Sequence, residues 1–213
     1  MQYIRLMAVI LSLSATLASC MAKAQTPDPS QVQVESIEYA GNGCPQGTTS
    51  VVLSPDAMAL SVLYDDFLVS VGGATGLAQD MRNCEVRVRL RVPRGWGLDF
   101  DSADFRGFVS LQPGVRAVQR VNFKVDHEPI EKEFRRTVWR GPVEENFNIT
   151  GVGRDNGAPD WRGCKPNGKS KLVLKTRVML ENGAPDREGT LAVDSFDGRM
   201  IQRYRLAWKR CQR

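Results

Sequence analysis

One histidine, His127, stands in the whole chain of 213 residues. That scarcity removes the multi-histidine metal sites and most acid–base and nucleophile constellations, which lean on imidazole. There is no H-E-x-x-H and no G-x-S-x-G, and neither standard Gly-rich phosphate loop is present. No cysteines stand in closely spaced C-x-x-C pairs, so a structural zinc site lacks its usual spacing. The one long apolar run, Leu6 to Ala18, is too short for a comfortable membrane span. Runs of like charge are also missing, although the net charge is +5. Arg5 leaves with the leader, and Lys23 with it if cleavage follows Ala24, so the mature chain keeps +4 or +3. Interspersed charge of that size means solubility or a weak attraction to acidic surfaces and argues against nucleic-acid binding.

What is present is a leader followed by alternating strands. Residues 1–24 carry Arg5, the apolar run and small residues, which is an export pattern. Two processing readings stay open. Leu17-Ala18-Ser19-Cys20 is a lipobox, which would make Cys20 a lipidated first residue. Ala22-Lys23-Ala24 is an A-x-A site, which would release a soluble chain at Gln25. The destination is then the periplasm or outer membrane as a lipoprotein, or the exterior as a secreted protein. Removing Cys20 leaves four cysteines, an even set suited to an oxidising compartment. Residues 25–34 are expected to form a polar tether, and 35–213 a single folded domain.

The clearest strand is Asn83 to Trp96. Cys84, Val86, Val88, Leu90 and Val92 alternate with Glu85, Arg87, Arg89 and Arg91, giving one apolar and one charged face. Pro93 and Gly95 predict its end. Lys169 to Leu180 repeats the pattern, with Leu172, Leu174, Thr176, Val178 and Leu180 on one face. Arg199 to Trp208 does so again, and these two segments are expected to cover the apolar face of the Cys84 strand. Leu98 to Arg106 reads as an acidic loop leading into a strand at Phe105 to Leu111, and His127 to Arg136 as a charged loop or short helix. About eight to ten short strands with no convincing amphipathic helix predict an all-β, single-domain antiparallel β-sandwich. The pentapeptide NGAPD occurs at Asn156 to Asp160 and at Asn182 to Asp186, where each residue has a turn role.

Neighbours in chain order give the expected disulfides, Cys44–Cys84 and Cys164–Cys211, each closing a loop for which chain entropy predicts about 4 kcal/mol. Asp99, Asp101 and Asp104 are a weak candidate calcium cluster, since hard cations take several oxygen ligands. Asp65-Asp66, Glu131 and Glu133 are candidate hydrolase carboxylates, without a spacing that joins them. Trp96 and Trp161, each beside glycine and arginine, are candidates for stacking on sugar rings. The arginine face of Arg87, Arg89 and Arg91 reads as solvated and paired with carboxylates on neighbouring strands.

Several of these segments together resemble a known family. They are G-x-G-C-P-x-G at Gly41 to Gly47, the N-C strand ending P-x-G at Asn83 to Gly95, D-F-R-G at Asp104 to Gly107, and Cys164 with Cys211. The chain is similar in them to the exported proteins grouped as domain of unknown function 4360. The resemblance implies a secreted, disulfide-bearing, β-rich protein and transfers no catalytic residues. The expected role is a non-enzymatic envelope binding or structural module without a cofactor. Its partner would be a cell-wall or surface glycan or an envelope protein, with contact to a membrane only through a lipid anchor. A carbohydrate-binding module is the first rival and a carboxylate-dependent hydrolase the second.

Overall fold

The computed structural model describes residues 26–126, 131–153, 168–184, 186–192 and 200–211. Twelve strands and two short 3-10 turns, and no α-helix, make up the described elements. In chain order the first six strands are β1 (Gln33–Ala40), β2 (Thr49–Leu53), β3 (Ala59–Tyr64), β4 (Leu68–Val71), β5 (Gln79–Arg91) and β6 (Trp96–Leu111). The second six are β7 (Val115–Val125), β8 (Lys132–Arg140), β9 (Val143–Val152), β10 (Lys169–Asn182), β11 (Gly189–Ala192) and β12 (Met200–Arg210).

Every pairing is antiparallel, and the strands form two sheets. The five-stranded sheet runs β1-β5-β10-β7-β8, and the seven-stranded sheet runs β2-β3-β12-β6-β11-β4 with β9 also paired to β6. The sheets face each other through aromatic rings. Phe100 of β6 meets Phe123 of β7 edge-on at 5.3 Å and Phe134 of β8 at 5.5 Å, and Phe134 meets Tyr204 of β12 at 5.5 Å. One continuous apolar core fills the space between them.

Local chemistry explains most strand ends. β5 stops at Arg91, Pro93-Arg94-Gly95 turns the chain with Gly95 at φ +79°, and β6 starts at Trp96. Gln112-Pro113-Gly114 turns β6 into β7, with Gly114 at φ +89° and Val115 N–H donating to the Gln112 carbonyl at 3.1 Å. Gly41 and Gly43 of the glycine-rich turn are required by close approach. A Cβ on Gly41 would lie 2.1 Å from the Asn83 carbonyl oxygen, and one on Gly43 would lie 2.0 Å from the Phe67 ring.

The structure corrects several sequence expectations. The strands are more numerous than expected and several are long, β6 reaching 16 residues. The supposed acidic loop Leu98 to Arg106 is part of β6, because Phe100, Ala103 and Phe105 are buried and β12 supplies the ladder alongside. The charged stretch before Thr137 holds the start of β8, an edge strand whose Phe134 and Trp139 point inward while its arginines stay in solvent. The presumed tether includes the 3-10 turn Pro29–Gln31 and the buried Val32, and β1 begins at Gln33. Finally, β10 does not cover the apolar face of β5. It lies beside β5 in the same sheet, and only β12 comes from the opposite one.

Candidate binding face

Alternation in the five-stranded sheet turns every second residue of β5, β10, β7 and β8 away from the core. Register then decides which of these residues become neighbours. Asn83, Arg177, Arg120 and Arg136 stand in one cross-strand row. Two residues further along each strand lies the apolar row Met81, Met179, Val118 and Val138. On the other side lie Glu85, Lys175, Asn122 and Glu133. Strands stand about 4.8 Å apart, so the three arginines are immediate neighbours across about 10 Å.

The surface is hollowed on both sides of the arginine row. An open hollow of about 370 Å³ is lined by Asn83, Glu85, Asn122, Glu131, Lys175 and the arginines Arg120 and Arg177. A smaller one of about 150 Å³ shares Arg120 and Arg177 and adds Arg116, Arg136, Met81 and Met179. The two hollows adjoin at Arg120 and Arg177, one on either side of the arginine row, and are together called the groove. Asn83 at its border is held by the glycine-rich turn. Cys44 and Cys84 are joined by a disulfide, Gly43 N–H donates to the Asn83 carbonyl at 2.9 Å, and Asn83 N–H donates to Asn42 Oδ1 at 2.8 Å.

Charges in the groove are unevenly compensated. Lys175 Nζ meets Glu131 at 2.6 Å and Glu85 at 3.7 Å, and its hydrogen bond to Glu131 holds the ammonium above its ordinary pKa. Arg120 meets Glu133 at 3.1 Å and Arg116 meets Glu181 at 2.8 Å. Arg177 and Arg136 have no acidic partner among the described residues. Arg177 and Arg136 therefore carry uncompensated positive charge on either side of the Glu133-paired Arg120. Like charges placed directly opposite on adjacent strands destabilise a sheet.

The arginines singled out from the sequence behave differently. Arg87 pairs with Glu85 at 2.6 Å and Glu38 at 3.8 Å, Arg89 with Glu38 at 3.6 Å, and Arg91 with Glu35 at 3.1 Å. The Arg91 hydrogen bond keeps the Glu35 carboxyl below the usual range. This is the solvated, paired face that alternation predicted.

The other candidates do not assemble into a site. Asp99 is buried and accepts from Phe100 N–H at 2.8 Å. Asp101 sits where the β6–β12 register shifts and accepts from Ser102 Oγ at 3.0 Å. Asp104 accepts from Thr150 at 2.8 Å and pairs with Arg205 at 2.8 Å. Among the described residues no three His, Cys, Asp or Glu side chains are grouped to hold a metal, Asp99, Asp101 and Asp104 included. A strand disperses what a loop would have gathered. Asp65 and Asp66 lie between β3 and β4 of one sheet, and Glu131 and Glu133 lie at β8 of the other, where they neutralise Lys175 and Arg120. Trp96 packs partly buried against the core with the Arg210 guanidinium 5.7 Å from its ring centre. Trp208 is buried and donates Nε1–H to the Ala57 carbonyl at 2.9 Å. Trp161, Cys164, His127, Cys20 and the first NGAPD segment lie outside the described residues. Cys211 is described and disulfide-bonded, but among the described residues one complete bridge is seen, Cys44–Cys84, where two were expected.

Arg120, Arg136 and Arg177 as a group were missed from the sequence. Alternation turns Arg177 outward, but nothing local indicates that β7 and β8 bring further arginines into line with it.

Fold and groove together define a class: an all-β protein of two facing antiparallel sheets, clamped by a disulfide and open on one charged sheet face. Residues 30–211 match the family described as Domain of unknown function (DUF4360), and the chain belongs to it. It is also similar to an "Uncharacterized secreted protein" from Arthroderma benhamiae, at 29% identity over 185 residues, covering 87% of this chain and 74% of that one. Solved structures overlap more loosely. The carbohydrate-binding module TmCBM61, solved in complex with β-1,4-galactotriose, matches 83% of this chain and 89% of its own at TM-score 0.23 and 12% identity. CBM28, a non-crystalline-cellulose-specific module, matches 68% of this chain and 84% of its own at TM-score 0.31 and 11% identity. Overlap at that level carries no ligand across to this chain.

Proposed function

We propose that the protein is an exported, non-enzymatic binding module that presents the outer face of the five-stranded sheet to a polymer of its extracytoplasmic surroundings. The carrying observation is the groove, formed by outward side chains of consecutive paired strands and bordered by Asn83, which the disulfide-held turn fixes by hydrogen bonds. Rigid strands hold such a surface more firmly than loops would. Export is supported by the leader pattern at residues 1–24, by the Cys44–Cys84 bridge, which suits an oxidising compartment, and by the relative described as secreted. Cys164–Cys211 would be the second clamp, and peptide mapping without reductant checks it.

Co-sedimentation of the full chain, purified after export, with insoluble envelope and matrix fractions tests the reading. Wild type is expected to sediment. Asn122→Trp, which fills the larger hollow on an outward strand position, is expected to stay in the supernatant, whereas Trp96→Ala sediments normally. No sedimentation with any fraction, full sedimentation of Asn122→Trp, or cleavage of a bound polymer each overturns it.

A further inference from the structure

We infer that the groove binds an acidic polysaccharide through its uronate carboxylates, with Arg177 and Arg136 as the anion-binding residues; this rests on the binding-module reading above. The physical argument starts from the row itself. Arg177, Arg120 and Arg136 face each other across consecutive strands, and only Arg120 has an acidic partner among the described residues. A sheet that holds such a row against its own repulsion is relieved when an anion sits over it. The planar guanidinium fork matches a carboxylate in two parallel hydrogen bonds.

The rest of the lining selects the kind of anion. Glu85, Glu131, Asn83 and Asn122 line the larger hollow. Carboxylates and amides accept from, or donate to, sugar hydroxyls, and the same glutamates would repel a polymer carrying dense charge. Met81 and Met179 border the arginines on the other side, Met81 being 41% exposed, and offer an apolar strip to the C–H face of a sugar ring. The outward positions of these rows carry no aromatic ring, so stacked bases would lack a platform here. A concave groove running across strands suits a chain better than a bilayer. Hydroxyls, an apolar ring face and a sparse carboxylate meet in a uronate polymer.

Affinity electrophoresis of the full chain at physiological ionic strength, in gels containing polygalacturonate, neutral dextran or dextran sulfate, tests the inference. Polygalacturonate is expected to retard wild type, and neutral dextran is not. Arg177→Gln/Arg136→Gln is expected to weaken retardation by roughly ten- to a hundredfold, the loss of charge-assisted contacts. Arg106→Gln on the opposite sheet leaves it unchanged. The double variant should also unfold at the same or a higher denaturant concentration than wild type, because removing like charges relieves the row. That stability readout separates lost binding from lost folding. Retardation that the double variant retains, or equal retardation by dextran sulfate insensitive to it, overturns the inference, as does sedimentation with anionic vesicles in place of the glycan. If envelope sedimentation stays sensitive to Asn122→Trp while polygalacturonate gives no retardation, the acidic-glycan inference falls and the binding module stands.

Discussion

Gln202 joins the two sheets by buried polar chemistry. Its Oε1 accepts from Thr176 Oγ1 of β10 at 2.8 Å and from Tyr64 OH of β3 at 3.4 Å, and Tyr204 OH of its own strand also donates to it. All four side chains are buried. Removing one hydroxyl leaves Gln202 with two donors, so Tyr204→Phe is expected to cost about 1–2 kcal/mol in urea unfolding. Burial pushes both phenols up, so folding favours their neutral forms. The unfolded chain loses those protons above pH ~10. Stability is therefore whole below that pH and falls as pH rises beyond it. Absorbance titration should show Tyr64 and Tyr204 ionising only as the protein unfolds, and Tyr204→Phe should weaken the alkaline decline. Ionisation of both phenols before the loss of the fold would contradict this.

Among the elements, the glycine-rich turn and β5 act as one unit. The Cys44–Cys84 bridge closes a loop with a sequence separation of 40, for which the chain-entropy model gives about 4 kcal/mol. Cys44→Ser/Cys84→Ser should lower stability by that order. It should also weaken ligand binding at temperatures where the variant remains folded, because the turn holds Asn83 at the border of the groove through Gly43 and Asn42. Unchanged binding in the folded variant would mean that the groove does not need its clamp. The same unit shows what local patterning reveals. The alternation of β5, its stop before Pro93 and the Cys44–Cys84 pair are all legible in the sequence. The strand identity of Leu98 to Arg106 is not, because its aspartates mask Phe100 and Phe105, whose burial depends on a distant sheet.

Across the whole molecule, stability rests on a core shared by both sheets. Phe100, Phe123, Phe134 and Tyr204 pack as one aromatic cluster spanning the interface, with centroid distances of 4.1 to 5.7 Å among the contacting pairs. Phe100→Ala is expected to cost about 3–5 kcal/mol while a single unfolding transition is kept at a lower midpoint. Two separate transitions in the variant or in wild type would mean that the sheets fold independently. A core of this kind leaves the outer faces free to carry charge, and the five-stranded face brings Arg177 and Arg136 into one row beside its hollows.

The division between chain and fold follows from the range of the forces involved. Composition, a leader pattern, period-two alternation, proline and glycine stops and the pairing of neighbouring cysteines are local, and they define an all-β, disulfide-bearing protein with a charged β5 face. Sheet order is non-local. β10 lies between β5 and β7, and β6 takes partners from β9, β11 and β12, pairings set by which apolar faces bury together most completely. Because a one-residue slip of register turns every side chain to the other face, only the assembled sheet could bring Arg177, Arg120 and Arg136 into one row. The same assembly spread Asp99, Asp101 and Asp104 along a strand in place of a loop.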